Sequence, residues 1–264
     1  MKKHLKRRAA PLPWHTTKKT DIWITRPRPG PHPMEVGVPL QVVIRDMLGY
    51  CDTATEARKI IGGREILVDG KVVTDYKRPI GFMDVLSIPK TKEHFRVVLD
   101  SKGHLQLSPI TKDRAKWKLV RIEDKTMVKG GRIQLNLHDG RNILLKKDQY
   151  KTKDVLKIEL PSQKILDSFS FSSGNMAVVM GGRHAGEMAP IKSTEVTRSP
   201  KPNYVQFAKG FSTIQNYVFV VGKKDPEIAL FKEDASKKEA PKKETPKSAK
   251  ETEEKVEEKA EVKK

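Results

Sequence analysis

Residues 53–73 carry two strong folding signals in succession, a helix start and a tight hairpin. Thr53 lies three positions before Glu56, the spacing of a capping box, in which each side chain accepts a hydrogen bond from the other residue's backbone N–H. Asp69-Gly70 then separates two short apolar runs, and such a pair favours a two-residue turn because both turn positions need a positive φ. The spacing predicts a capped helix followed directly by a β-hairpin.

The flanking residues extend this pattern into a small module. Apolar residues recur at helical spacing over 40–48 and predict a first amphipathic helix. A further apolar run over 84–88 predicts a strand that returns to the hairpin. Residues 39–90 are therefore expected to form two helices, a hairpin and a return strand.

Residues 39–90 resemble the S4-type RNA-binding module, which grips RNA through its second helix and its hairpin. The resemblance rests on the runs Thr55–Ile61, Ile66–Val72 and Met83–Val85. The module often has a Ser-Arg pair at the start of its second helix, where this chain has Thr53-Ala54. The resemblance therefore implies that the phosphate contacts shift to basic residues elsewhere in the helix and hairpin, namely Arg58, Lys59, Arg64 and Lys71.

The middle of the chain, residues 91–172, is predicted to be a β-rich domain. Alternating apolar residues form two hairpin patterns, at 95–107 and 132–145. Lys112–Lys118 is predicted to be a charged connection between them. Its aromatic residue, Trp117, could stack on a base, but we expect it to lie in the core or at a domain interface.

Residues 173–193 resemble the KOW motif, a strand-loop-strand found in small five-stranded barrels of ribosomal and transcription proteins, and residues 211–222 look like the closing strand of such a barrel. A strand over 176–180 runs into a glycine-rich loop, although Ala189 stands where the motif usually has glycine. The resemblance implies an SH3-like barrel, in which Arg183 and His184 contact RNA.

The chain has a net charge of +20, and the excess lies outside its C-terminal segment. Residues 232–264 contain 11 basic and 10 acidic residues and few large apolar ones, which predicts a disordered tail that binds phosphate poorly. Residues 1–38 are strongly basic, rich in proline and contain two tryptophans. They are predicted to form an extended arm that becomes ordered only against RNA, the polyanion that such a charge excess requires.

Composition and motif spacing exclude several classes of function. The single cysteine, Cys51, excludes an internal disulfide, and no apolar run reaches the roughly 20 residues that span a bilayer. None of the seven histidines has a metalloprotease spacing, and no nucleophile-elbow motif occurs. We therefore expect no catalytic residues, metal or cofactor, and neither a membrane nor a small-molecule substrate as partner.

The three signatures together are similar to the eS4 family of small-subunit ribosomal proteins from archaea and eukaryotes. They are the basic arm with Lys3–Arg7 and Arg26–His32, the helix-hairpin module, and the glycine-rich loop with its closing strand over 219–222. The resemblance covers about residues 1–231. It implies a structural, non-enzymatic role in translation, bound to small-subunit ribosomal RNA and to neighbouring ribosomal proteins, on ribosomes in the cytoplasm.

The predicted fold is a multidomain α+β chain with five parts: the arm 1–38, the S4-type module 39–90, the β-rich domain 91–172, the KOW-containing barrel 173–231 and the tail 232–264. RNA contacts are expected from basic side chains in the arm, the module and the barrel loop: Lys2, Lys3, Lys6, Arg7, Arg8, Lys18, Lys19, Arg26, Arg28, Arg45, Arg58, Lys59, Arg64, Lys71, Lys77, Arg78, Arg183 and His184.

Two other functions stay open at this point. An RNA-modifying enzyme such as a pseudouridine synthase can carry the same module, but it needs a separate α/β catalytic domain with an essential Asp, and residues 91–231 show short β segments instead. A free translation or transcription factor could use the KOW-like barrel to contact protein partners. Retention on ribosomes through a high-salt wash separates that factor from a ribosomal protein.

Overall fold

The computed structural model describes residues 4–223 and 225–228, and most of its regular elements are antiparallel β-strands. Three five-stranded sheets follow one another along the chain, and two short two-stranded pairs accompany the first. The predicted disordered tail, residues 232–264, lies outside the described residues. Within the described ranges, no helix is both long and apolar enough to cross a membrane.

The arm forms a short antiparallel pair, β1 (Leu5–Lys6) and β2 (Trp23–Ile24), and packs against the rest of the protein. Trp14 is only 2% exposed, and the N–H of Leu105 donates to the carbonyl oxygen of Pro13 at 2.7 Å. The prediction that the arm becomes ordered only against RNA is therefore wrong for these residues. Their apolar side chains bury surface on the protein itself, which offsets the entropy lost on ordering.

Two helical segments follow a strand, β3 (Gly37–Pro39), in the predicted places. The first, α1 (Leu40–Val42), continues as a wider π-helical turn over Val43–Met47, so the predicted helix changes its hydrogen-bonding pattern after one turn. The second is α2 (Ala54–Gly62). Its predicted capping box is confirmed, because the Thr53 hydroxyl accepts from the N–H of Glu56 at 3.2 Å and the Glu56 carboxylate accepts from the N–H of Thr53 at 3.3 Å.

The predicted hairpin is also confirmed. Asp69 and Gly70 have φ values of 52° and 75° and join two short strands. These strands lie side by side at one edge of the first sheet, whose spatial order is β5 (Lys71–Val72), β4 (Leu67–Val68), β7 (Val85–Ile88), β8 (Glu93–Leu99) and β9 (Leu105–Pro109). The remaining strand of this region, β6 (Pro79–Gly81), pairs with β3.

The second sheet is built on the long strand β10 (Trp117–Val128). Its spatial order is β12 (Asn142–Leu145), β11 (Arg132–Leu137), β10, β13 (Val155–Glu159) and β14 (Ile165–Phe169). A single 3-10 turn, Arg114–Lys116, precedes it. The predicted charged connection is therefore wrong at its end, because Lys118 lies inside β10 and is completely buried.

The third sheet contains the predicted glycine-rich loop. Its spatial order is β18 (Ser212–Ile214), β17 (Tyr204–Phe207), β16 (Met188–Glu195), β15 (Met176–Val179) and β19 (Val218–Gly222). The loop connects β15 to β16, and the closing strand β19 pairs antiparallel with β15.

The apolar core does not follow the predicted domain boundaries. One cluster of buried side chains joins the arm, the two helical segments, the first and third sheets and one side of the second sheet, with the rings of Phe82 and Phe219 5.1 Å apart in an edge-to-face contact. A smaller cluster packs on the other residues of the second sheet. Hydrogen bonding between β7 and β8 also crosses the predicted boundary after residue 90, with Ile88 opposite Glu93.

Candidate nucleic-acid interface

Four of the predicted RNA contacts lie on the solvent side of α2 and the hairpin. In α2, Ala57 and Ile61 point into the core, which turns Arg58 and Lys59 outward at the helical period. Arg64 follows the helix end, Lys71 opens β5, and both are exposed. The capped helix and the tight turn are rigid local structures, so they hold these charges in a fixed arrangement. We call Arg58, Lys59, Arg64 and Lys71 the basic face.

The Tyr76 ring contacts one residue of the basic face, and Arg28 of the arm contacts the residues on either side of Tyr76. The Arg58 guanidinium lies 4.8 Å from the centre of the Tyr76 ring, and the Lys77 ammonium lies 5.5 Å from it. The backbone N–H of Arg28 donates to the carbonyl oxygen of Lys77 at 3.0 Å, and the side-chain Nη1 of Arg28 pairs with Asp75 at 3.3 Å. Three predicted residues, from the arm, the helix and a loop, therefore converge around Tyr76, which the sequence analysis missed.

Arg7 is the clearest error among the predicted contacts. Its side chain is buried, with Nη1 3.2 Å from Asp21 and Nη2 3.6 Å from Asp46, and its Nε donates to the carbonyl oxygen of Thr17. These contacts engage the nitrogens of the guanidinium, so Arg7 binds the arm to the module and is not available to contact a phosphate. Arg45 is engaged in the same place: its hydrogen bond to the Asp46 carboxylate, at 2.9 Å from Nε, raises the pKa of Arg45.

The other predicted residues of the arm and module differ in exposure. Arg78 and Lys77 are half-buried, as is Arg26. Lys2 and Lys3 lie outside the described residues. The remaining arm side chains are exposed to solvent: Lys6, Arg8, Lys18, Lys19 and Arg28.

The glycine-rich loop presents one of its two predicted contacts. Arg183 is exposed between β15 and β16. The His184 ring instead stacks on Phe211 with ring centres 4.4 Å apart, and its Nδ1 lies 2.9 Å from Glu187. The structure therefore leaves Arg183 accessible and ties His184 to the protein.

A buried group of charges lies directly behind the hairpin turn. The Lys118 ammonium is 2.8 Å from Asp69, 3.0 Å from Asp84 and 2.6 Å from Asp139. The Arg141 guanidinium adds a second cation, with Nη2 2.6 Å from Asp69 and Nε 3.4 Å from Asp139. We call these five residues the Lys118 cluster. It joins the hairpin turn and the start of β7 to the second sheet.

The three carboxylates of the Lys118 cluster differ in the direction of their pKa shift. Burial and the neighbouring Asp84 raise the pKa of Asp69, although Lys118 and Arg141 oppose that shift. Burial alone raises a carboxyl pKa, but the Lys118 ammonium and His32, whose Nε2 lies 3.0 Å from Asp84, hold the pKa of Asp84 well below its usual range. Burial also raises the pKa of Asp139, but the positive charges of Lys118 and Arg141 outweigh it, so that pKa is lowered. Burial lowers the pKa of Lys118, but the three carboxylates outweigh it and raise that pKa.

His138 borders the Lys118 cluster as a neutral ring. Its Nδ1 accepts the N–H of Arg121 at 3.1 Å, and its Nε2 lies 3.3 Å from the carbonyl oxygen of Phe82. This geometry fits the tautomer with the proton on Nε2, and a second proton on Nδ1 would break the bond from Arg121. Burial, with the positive charge of Lys118 as a further cause, lowers the pKa of His138 to about 4 against the opposing effect of Asp139.

The chemistry of these residues suits binding of anions. In the part of the chain that the structure describes, no group of three or more His, Cys, Asp or Glu side chains is arranged to hold a metal ion. The exposed cations are Arg and Lys on rigid elements, which is the arrangement that fixes the register of a nucleic-acid backbone.

Three family models match successive parts of the chain. They are the RS4NT (NUC023) domain over residues 1–35, the S4 domain over residues 38–86, and Ribosomal family S4e over residues 91–165. The S4 match contains α1, α2 and the hairpin, and therefore all four residues of the basic face.

Whole-length comparisons point the same way. The chain is 46% identical over 233 residues to small ribosomal subunit protein eS4 of Methanothermobacter thermautotrophicus, covering 87% of this chain and 96% of that relative. It is 44% identical over 241 residues to the eS4 protein of Methanocaldococcus jannaschii, covering 87% and 98%. The crystal structure of 30S ribosomal protein S4e from Thermoplasma acidophilum matches with a TM-score of 0.64 and 37% identity, covering 71% of this chain and 95% of that one.

Proposed function

Because this chain belongs to the eS4 family of small ribosomal subunit proteins, we propose that the basic face is its principal contact with ribosomal RNA. As a member of that family, the protein is a structural constituent of the small ribosomal subunit that binds ribosomal RNA, and it is not an enzyme. The family therefore excludes the RNA-modifying enzyme that the module alone left open.

The observation that carries the proposal is the placement of Arg58, Lys59, Arg64 and Lys71. All four are exposed. Arg58 and Lys59 project from the capped helix α2, Arg64 follows its end, and Lys71 opens β5 directly after the two-residue turn. Each cation that neutralises a phosphate releases a condensed counterion, which favours binding. Arginine adds geometric selectivity, because its planar guanidinium can donate two parallel hydrogen bonds to one phosphate.

We further infer that the third sheet is a KOW-type barrel that supplies a second, smaller contact through Arg183. Gly182 and Gly186 of its loop have φ values of 86° and 84°, a conformation that favours glycine. Exposure of Arg183 and engagement of His184 support the arginine alone as the RNA contact. We also propose neighbouring ribosomal proteins as partners and the cytoplasm as the location of the assembled subunit.

Salt dependence of binding tests the basic face directly. Binding of a small-subunit rRNA fragment weakens as salt rises, and the steepness of log K against log salt is the salt slope. Changing all four residues to Ala should reduce the magnitude of this slope by about three, since each phosphate contact contributes roughly 0.7 to 0.9. The fold should survive, because the apolar side of α2 is untouched. Circular dichroism and thermal unfolding check the fold, and filter binding over a salt series gives the slope.

A matched variant separates a specific contact from a general loss of charge. Lys129, Arg132, Lys146 and Lys147 are also exposed, and they lie in or beside β11 and β12 of the second sheet. Their replacement by Ala removes the same charge, so it should change the slope clearly less. An unchanged slope in the basic-face variant, with its fold intact, would contradict the proposal and move RNA recognition to the arm and the third sheet. An equal change in both variants would also contradict it, because it would show a general loss of charge.

A further inference from the structure

Arg96 in β8 is a buried cation that lacks a carboxylate partner. Its side chain is 1% exposed, and its Nη2 donates to the carbonyl oxygens of Arg114 at 2.8 Å and Trp117 at 2.7 Å. The guanidinium also lies 4.3 Å from the centre of the Trp117 ring. Among residues 4–223 and 225–228 it forms no ion pair, and its Nε has no acceptor. Buried charges are ordinarily paired, so this cation is incomplete.

The surroundings of Arg96 form a cleft of about 260 Å³ that is suited to an anion. A second arginine, the exposed Arg114, lines it, and Ser108 and Thr111 place hydroxyl-bearing side chains there. No acidic side chain is among the described residues of the lining, whose other members are apolar: Val98, Pro109, Ile110 and Ile228.

The electrostatics of the cleft are unfavourable to the charge of Arg96. Burial, with the charge of Arg114 added, lowers the pKa of Arg96 to about 10, and Asp69 and Glu227 only partly oppose this from beyond ion-pair distance. An anion between the two guanidiniums would relieve their repulsion and give the buried one a counterion. The two guanidiniums also offer several N–H donors, which matches the several oxygens of a phosphate.

We propose that this cleft binds one phosphate of the ribosomal RNA backbone between Arg96 and Arg114. The inference rests on the proposed RNA-binding function, and it adds a contact on β8 and β9 that lies outside the basic face. A phosphate of RNA is favoured over a carboxylate because the protein is a constituent of a particle built on RNA, and because hydroxyls and two arginines can contact all the free oxygens of one phosphate. The remaining apolar lining can contact the adjoining sugar.

The test uses the full chain with Arg114→Gln, because Arg114 is exposed and its carbonyl bond to Arg96 is kept in the variant. Binding to small-subunit rRNA should lose affinity several-fold, and the salt slope should fall by about 0.7 to 0.9, the contribution of one phosphate. Arg132→Gln serves as the matched control, since it removes one exposed arginine from β11. Its slope should stay close to that of the unchanged protein.

A second measurement identifies the chemistry of the ligand. In the free protein, inorganic phosphate should shift the Nε–Hε NMR resonance of Arg96, and the shift should be weaker in Arg114→Gln. A resonance that stays in place with phosphate, or moves only with acetate, contradicts the proposal and in the second case indicates a carboxylate ligand.

The outcomes also separate this inference from the proposed function. If the four-residue variant of the basic face lowers the slope while Arg114→Gln behaves like Arg132→Gln, the cleft proposal is wrong and the basic face stands. If Arg114→Gln lowers the slope while the four-residue variant does not, the cleft stands and the basic face is not the principal contact.

Discussion

The Lys118 cluster and the basic face are both groups of charges, and they meet at a single turn. Asp69, the first residue of that turn, is buried and bonded to Lys118 and Arg141. Lys71, two residues later, is exposed to solvent. The reversal of the chain at this tight turn thus separates a charge that belongs to the interior from one that can meet a ligand.

Burial and the available partners decide whether a charged side chain stabilises the fold or remains free for a ligand. Lys118 and Lys71 have the same side chain, but desolvation of Lys118 is compensated only by three carboxylates within 3.0 Å. Removing one member of such a group leaves the others buried and unpaired. Lys71 is solvated with or without a ligand, so its removal costs little in the free protein.

The two regions are also connected mechanically. Asp69 is the start of the turn that carries Lys71, and its Oδ1 accepts the N–H of Val85 at 3.0 Å while its Oδ2 contacts Lys118 and Arg141. These bonds tie the hairpin to β7 and to the second sheet. The cluster therefore fixes where the hairpin part of the basic face stands.

The largest effect is expected from Lys118→Ala. The substitution leaves three carboxylates without their shared ammonium, and loss of one partner of a buried ion pair typically costs about 3–5 kcal/mol. Urea unfolding should show this loss at pH 7. Lys116→Ala, two positions earlier, is the control: its ion pair with Asp113 is exposed, and its removal should leave stability nearly unchanged. Similar midpoints for the two variants would mean that the cluster does not hold the fold.

A smaller effect is expected from acid titration of His138. Its pKa is about 4 in the fold, against an ordinary value near 6.5, so the unfolded chain binds more protons between these values. The stability that the neutral ring contributes is complete above pH 6.5 and is lost as the pH falls towards 4. The loss is on the order of 2–3 kcal/mol.

His138→Asn isolates this contribution, because the amide oxygen can still accept the N–H of Arg121 and does not titrate in this range. The free energy of unfolding of the variant should fall less than that of the unchanged protein between pH 6.5 and pH 4. Parallel pH profiles for the two proteins would show that the ring is not held neutral by the fold.

Local signals explain which parts of the fold were predictable from the sequence. The capping box at Thr53 and Glu56 and the turn at Asp69-Gly70 each depend on residues within a few positions of one another, and both are present as predicted. The alternation of apolar residues in β11 and β12 is also a local pattern, and it was sufficient to predict this hairpin. The four residues of the basic face are exposed because the helix phase around Ala57 and Ile61 is itself a local property.

Long-range partners explain the errors. Lys118 stands in a run of charged residues, and the carboxylates that permit its burial lie 49 and 34 positions earlier in the chain. Arg7 is equally inconspicuous between Lys6 and Arg8, and only contacts with Asp46 in the module and Asp21 distinguish it. No local pattern contains such information, so the sequence predicted a solvated connection for the first and a phosphate contact for the second.

The smallest effect on stability is expected from Lys71→Gln, which should instead change the salt dependence of RNA binding. The side chain is exposed and its loss strands no buried charge, so the midpoint of urea unfolding should not change. If Lys71 neutralises one phosphate, the salt slope for rRNA binding should still fall by roughly 0.7 to 0.9.

Asp69→Asn, on the same turn, should do the reverse: it weakens the pairing of Lys118 and lowers stability, while the slope measured on the folded protein stays near its original value. A slope that responds to Asp69→Asn as strongly as to Lys71→Gln would show that the cluster governs RNA contact and not only the position of the hairpin.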